Sequence, residues 1–158
     1  AYEIAQGLVG SEMCIRDSGD EGSSAYLGKT LIADMLKGIA PQRLTQEFYE
    51  HFNVTPNMLM DDIYTYKMPS RTLARYSTFL AQNLENEYVY QLVYAAFMRF
   101  FSRNITAYDF ANNPISFVGS TCVTYRDILY RAADEFGAVI DKVIPASMPG
   151  LIEYHAED

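Results

Sequence analysis

At 158 residues, with a formal net charge of −8 and no cluster of lysine or arginine, the chain is not built to neutralise phosphates, which argues against a nucleic-acid binder. Apolar residues make up 49% of it, yet no uninterrupted apolar run approaches the ~20 residues that span a bilayer. A soluble protein with no membrane contact is expected.

Residues 1–18, AYEIAQGLVGSEMCIRDS, carry neither a helical nor an alternating pattern. Leu8 to Ser18 resembles the frame CTC GTG GGC TCG GAG ATG TGT ATA AGA GAC AGn, the end of a transposase-type sequencing-library adapter. Ala1-Tyr2-Glu3-Ile4 resembles GCA TAC GAG ATn, its outer arm, and Ala5-Gln6-Gly7 leaves room for an index between them. The segment lacks the basic start and apolar run of a signal peptide, and it is set aside from the fold as non-native and adapter-derived. Glu3, Glu12, Arg16 and Asp17 account for −2 of the charge, leaving −6 on the remaining 140 residues. That length suits one domain with one core.

Cys122 is then the one native cysteine. It cannot supply a disulfide framework or the cysteine spacing of a zinc or iron–sulfur site, and a reducing, cytoplasmic setting is the default. Thirteen tyrosines and nine phenylalanines without tryptophan fall on helical stripes, as expected of an aromatic-rich helical core.

Leu27, Leu31, Met35 and Ile39 recur at four-residue steps and predict a helix from about Ser23 to Leu36, with Gly38 as its stop. Leu44, Phe48 and Phe52 form a second stripe after Pro41. Thr55-Pro56, a capping residue followed by proline at the first helical position, opens a third helix through Tyr64. Beyond Pro69-Ser70, Leu73, Tyr76, Leu80 and Leu84 mark a fourth. Tyr88 to Ile105 is a fifth, apolar on more than one face: Leu92, Ala96 and Phe100 form one row, Val93, Phe97 and Phe101 the next.

The pattern changes at Asn112-Asn113-Pro114. Ile115 to Val118 predicts a strand, Gly119-Ser120 a tight turn, and Tyr125, Ile128, Leu129, Ala132 and Phe136 a helix ending at Gly137. Ala138 to Ile144 reads as a second strand closed by Pro145, and Leu151 to His155 as a short terminal helix. The fold class is α/β, dominated by helices.

Two segments can carry chemistry. In Gly19-Asp20-Glu21-Gly22-Ser23, glycines let a ligand approach the backbone and a carboxylate can accept hydrogen bonds from hydroxyls; alternatively Asp20 or Ser23 caps the first helix and Glu21 complements its dipole. In Phe117-Val118-Gly119-Ser120, a strand ends at a helix N-terminus, where free N–H groups favour an anion such as nucleotide phosphate; alternatively Gly119 only makes the turn and Ser120 caps the helix. His51 and His155 have no acidic or cysteine neighbour at metal-ligand spacing and read as surface or cap residues. Lys29 follows Gly28 outside any P-loop pattern. Asp61-Asp62 reads as a solvated helix face, and Ser23-Ser24 has no local histidine to activate a nucleophile. No metal site is expected.

Taken together, GDEGSSAYLGK (Gly19 to Lys29) and Phe117-Val118-Gly119-Ser120 resemble the BadF/BadG-type ATPase family, in particular its N-acetylglucosamine kinase-like members. Arg126-Asp127-Ile128-Leu129 and Gly150-Leu151-Ile152-Glu153-Tyr154-His155 are similar to the same group. The resemblance implies a C-terminal ribonuclease H-like lobe, residues 19–158, of the actin, sugar-kinase and Hsp70-like superfamily. It implies that Asp20 holds hydroxyls of the amino sugar, that Glu21 and Gly22 shape that wall, and that Gly119 and Ser120 lie against the nucleotide. The implied reaction moves the γ-phosphoryl group of ATP, with Mg2+, to the sugar 6-hydroxyl. The catalytic base and first phosphate loop belong to a part this chain lacks, so it should be inactive alone; a homodimer of the complete protein is also implied. Ser24 departs from the family pattern where glycine is usual, Thr121 and Cys122 where small apolar residues are common, and Pro149 where an acid is typical. Two other readings remain open: an ATPase that activates a partner enzyme through an iron–sulfur cluster, and a non-catalytic helical interaction domain.

Overall fold

The computed structural model describes residues 23–64 and 70–145. Asp20, Glu21, Gly22, the adapter-like segment, Pro149, His155 and the expected helix at Leu151–His155 lie outside them. The described part is a helix-dominated α/β structure with one small parallel sheet. It divides into two compact units, one spanning Ser23–Leu92 and one from Val93 onward, and the division falls inside a helix. No helix among the described residues is long and apolar enough to cross a membrane.

The helical unit begins with α1 (Ser24–Leu36). Ser23 caps it: its buried hydroxyl oxygen accepts from the Tyr26 N–H at 3.1 Å, which satisfies one of the first-turn donors a helix leaves open. Leu27, Leu31, Ile32 and Met35 form the buried face. At the far end, Gly38 takes φ +74, and the N–H groups of Gly38 and Ile39 donate to Met35 O (3.2 Å) and Asp34 O (2.8 Å), the paired closure that a left-handed glycine permits. That closure turns the chain before the four-residue stripe can continue, so Ile39, expected in line with Met35, is 61% exposed.

Next come α2 (Gln42–Phe52), α3 (Pro56–Tyr64) and α4 (Ser70–Gln82). Helix α2 buries Leu44 and Phe48 and ends on Asn53 in the left-handed region, φ 53. Thr55 caps α3 as its sequence predicts, its Oγ1 accepting from the Met58 N–H at 3.2 Å. Helix α4 buries Tyr76, Phe79 and Leu80 but stops before Leu84, because the chain turns at residues 83–86. It packs along α1, and at Gly28 the two backbones come close: a Cβ on Gly28 would overlap the Leu73 carbonyl, lying 2.8 Å from its carbon.

Helix α5 (Glu87–Phe100) starts in this unit. Asn86 Oδ1 accepts from the Tyr88 N–H at 2.9 Å, and the Tyr88 hydroxyl donates to Asp34 Oδ2 at 2.6 Å. Burial, then that bond to Asp34, pushes the Tyr88 phenol above its ordinary range.

In the second unit α5 does not run on as a regular helix to Ile105. Residues Phe101–Ile105 form a π-helical turn, a wider winding that inserts residues into the ladder and shifts the faces beyond it. Phe100 and Phe101 are both buried, and the Phe101 ring stacks on Phe136 at 5.4 Å and meets Phe117 edge-on at 5.8 Å.

Strand β1 (Ile115–Val118) follows, then α6 (Ser120–Thr124), α7 (Arg126–Phe136) and β2 (Ile140–Ile144). The strands pair in parallel with Phe117 opposite Val143 and Val118 opposite Ile144, so the two helices form the crossover that parallel pairing requires. The single helix expected over Tyr125–Phe136 is thus preceded by a separate short helix, with the break at Tyr125 (φ −108, ψ 33). Tyr125 is buried, as are Ile128, Leu129 and Ala132. Gly137 closes α7 at φ +94. Ala138, expected in β2, instead donates its N–H to Ala133 O at 2.9 Å, and the strand starts two residues later than its composition suggests.

Candidate functional site

Of the five candidate site residues, the structure describes Gly119 and Ser120; Asp20, Glu21 and Gly22 lie outside the described residues. Gly119 stands where β1 leaves the sheet. Its N–H donates to Ile144 O at 2.9 Å, the last rung of the β1–β2 ladder, and its carbonyl accepts from the Val123 N–H at 3.3 Å. One residue therefore ends the strand and starts α6.

It does so at φ +147, ψ 151, a conformation open essentially to glycine. Among the described residues a Cβ built there would meet nothing within 4 Å, so glycine is required by backbone shape. Gly119→Ala should cost about 1–3 kcal/mol through that conformation, read as a lowered urea midpoint without a steric rearrangement. An alanine variant as stable as the parent would show that the turn is not held in this geometry.

Ser120 is exposed and is the first residue of α6, not its cap; the cap position belongs to Gly119. The capping role considered for Ser120 is therefore corrected. Its hydroxyl sits at the carboxyl end of a parallel strand and the start of the following helix, where open α/β sheets admit ligands. The same turn buries Cys122, which burial pushes up to about 12 from its ordinary 9.0, a hydrogen bond with its own backbone acting the other way. Tyr125, just beyond, is raised by burial to about 12 from 10.0.

Both groups ionise more readily in the unfolded chain, which loses protons above pH 9 that the folded chain keeps. Stability from this pair is thus fully present below pH about 9 and falls as pH rises towards about 12. Urea midpoints measured between pH 8 and 11 should decline, and Cys122→Ala should flatten the lower part of that decline. An unchanged slope in the variant would remove Cys122 from the account.

A second feature next to the turn carried a weak signal in the sequence, a serine inside an apolar strand. Ser116 is buried, and its Oγ donates to Asp141 Oδ2 on β2 at 3.5 Å. An open depression of about 570 Å³, lined by Tyr130, Arg131, Asp134 and Val139 among others, lies by the start of β2. Because the strands are parallel, that is the opposite end of the sheet from Gly119, so the depression is not the site the turn suggests.

The remaining candidates behave as surface groups. His51 is exposed in the last turn of α2, its ring edge-on to Phe52 at 4.7 Å. Lys29 and Asp61 are exposed and Asp62 half-buried. Among the described residues no group of three or more His, Cys, Asp or Glu could hold a metal ion.

No family model matches the chain, and no curated protein matches it. A solved structure does: a crystal structure from Porphyromonas gingivalis, provisionally assigned as an N-acetylglucosamine kinase, superposes with a TM-score of 0.80 and 35% sequence identity over 88% of this chain. The chain spans about half the length of that structure, 49% of it. In fold, the chain is similar to that part of a kinase-like protein.

Proposed function

We propose that the chain is the C-terminal lobe of a BadF/BadG-type ATP-dependent sugar kinase, acting in the cytoplasm on N-acetylglucosamine or a related amino sugar. The observation that carries this reading is the match at 35% identity and TM-score 0.80 over 88% of the chain. In this reading the bond between the γ-phosphorus and its bridging oxygen breaks and one to the sugar 6-oxygen forms. The hydroxyl proton passes to a base in the part of the protein outside this chain.

The described residues fit the nucleotide end of such a site. Among the described residues nothing stands within 4 Å of where a Gly119 side chain would begin, which supports the approach of a phosphate to the main chain, and the Ser120 hydroxyl would donate to it. Mg2+ would be held largely by the phosphates and water, as is usual for this ion. Asp20 would accept from sugar hydroxyls, with Glu21 and Gly22 beside it.

The test uses the protein carrying its genomic sequence upstream of Gly19 in place of residues 1–18. ADP release should be stimulated by N-acetylglucosamine, and the 158-residue chain should release none. Asp20→Asn in the longer protein should weaken sugar binding by ~1.5–3 kcal/mol, the usual worth of a hydrogen bond to a charged group. Sugar-independent ADP release, or none, would overturn the kinase reading. Unchanged sugar affinity in the variant would leave Asp20 a helix-entry residue only.

A further inference from the structure

Ser23 gathers the start of α1 onto one residue. Its hydroxyl oxygen accepts from the Tyr26 N–H at 3.1 Å, and its carbonyl accepts from the Leu27 N–H at 3.0 Å. The residue is only 7% exposed, so water has little room to take over the role of the hydroxyl. The first turn carries no acidic side chain that would support the cap through the helix dipole.

The body of α1 is held independently of this cap. Leu27, Leu31 and Ile32 are wholly buried, and the Gly28 backbone lies against the Leu73 carbonyl of α4. With the helix fixed from Leu27 onward, the freedom left is in how the chain enters it. Ser23 sets that entry, in an extended conformation (φ −82, ψ 157) held by its own side-chain bond. Asp20, Glu21 and Gly22 are the three residues immediately before it.

We propose that Ser23 is a positioning residue for the sugar: by capping α1 it fixes the direction from which Asp20, Glu21 and Gly22 reach the substrate, a role that rests on the sugar-kinase reading above. Groups that bind a substrate must be held close to their productive geometry by supporting hydrogen bonds, and the glycines flanking Asp20-Glu21 place few constraints of their own on that short segment. An uncapped entry samples more directions, of which a fraction suits the sugar, and apparent affinity falls by that fraction. Saturating sugar selects the competent arrangement, so the cost falls on KM and spares kcat.

The test uses the protein carrying its genomic sequence upstream of Gly19, with N-acetylglucosamine as the sugar. Ser23→Ala should raise the sugar KM about fivefold, the equivalent of a typical cap loss, with kcat and the ATP KM unchanged to within about twofold. Ser23→Thr or Ser23→Asn, which keep a capping oxygen, should restore the sugar KM. Thr55→Ala is the structural control: it removes the corresponding cap from α3 in the same unit and should leave the sugar KM where it was. An unchanged sugar KM in Ser23→Ala, an equal rise in Thr55→Ala, a fall in kcat alone, or failure of both restoring variants would overturn the role. If Ser23→Ala does not fold, amide exchange in the parent decides. Saturating sugar should slow the Tyr26 amide, capped by Ser23, more than the Met58 amide, capped by Thr55; equal slowing, or none, overturns the proposal. A parent without sugar-stimulated ADP release overturns the kinase reading and this role with it, whereas a working parent with an indifferent Ser23→Ala overturns this role alone.

Discussion

Gly28→Ala is expected to destabilise the helical unit by about 3 kcal/mol, seen as a lower urea midpoint by circular dichroism. In an ordinary helix the same change is favourable, because alanine is intrinsically better there by ~1 kcal/mol. The sign reverses here because of what faces Gly28. A Cβ at that position would overlap the Leu73 carbonyl, 2.8 Å from its carbon and 3.4 Å from the Leu73 Cα. Both are main-chain atoms of α4, which cannot rotate aside as a side-chain tip could. Relief requires α1 and α4 to separate, and α4 carries Tyr76, Phe79 and Leu80 into the same interior that α1 fills with Leu27, Leu31 and Ile32. Spreading the pair therefore opens space along several close-packed residues at once. An alanine variant as stable as the parent, or more so, would mean that the helices do not cross with their backbones this close.

The importance of Gly28 could not be read from the sequence. A glycine inside a helical stripe looks like a weak point, and the nearby Lys29 invites comparison with phosphate loops; the relevant partner, Leu73, is 45 positions away. Features governed by neighbouring residues were legible: the Ser23 and Thr55 caps, the left-handed ends at Gly38 and Gly137, and the strand at Ile115–Val118. Where two local signals competed, periodicity alone misled. The stripe through Ile39 lost to the glycine closure of α1, and the first residues expected in β2 were taken up in closing α7.

The π-helical turn at Phe101–Ile105 was hidden for another reason. Adjacent apolar rows on α5 fit either winding, and the choice is made by how Phe100, Phe101, Phe117 and Phe136 meet. In the candidate site, strand, glycine and turn at Gly119 were legible because the residues between β1 and α6 are few and glycine is needed there. The assignment of Ser120 as a possible cap failed by one position, a shift that composition does not resolve because serine is acceptable at either. The part-buried Ser116–Asp141 bond joins residues 25 apart and required the strand register.

Phe48→Ala should be the most damaging single truncation in the helical unit, at about 3–5 kcal/mol. Phe48 is fully buried, at 0% exposure, and its ring has the Phe52, Phe79 and Tyr76 rings at 4.8, 5.3 and 5.4 Å. These contacts tie α2 to α4, so truncation removes apolar transfer energy and also the tilted and edge-on aromatic pairs that supplement it. The surrounding rings are held by their own helices, which limits collapse into the space left behind. Phe52 provides the contrast on the same helix. It is half-buried, with one face towards the Arg75 guanidinium at 5.8 Å, and truncating it opens a surface notch instead of an internal void. Phe52→Ala should accordingly cost about half as much as Phe48→Ala, within the lower part of the range for aromatic truncations. Phe48→Leu should recover part of the loss by keeping the site filled without a ring. Equal losses for the two alanine variants would place the aromatic interior at Phe52 and overturn Phe48 as its centre.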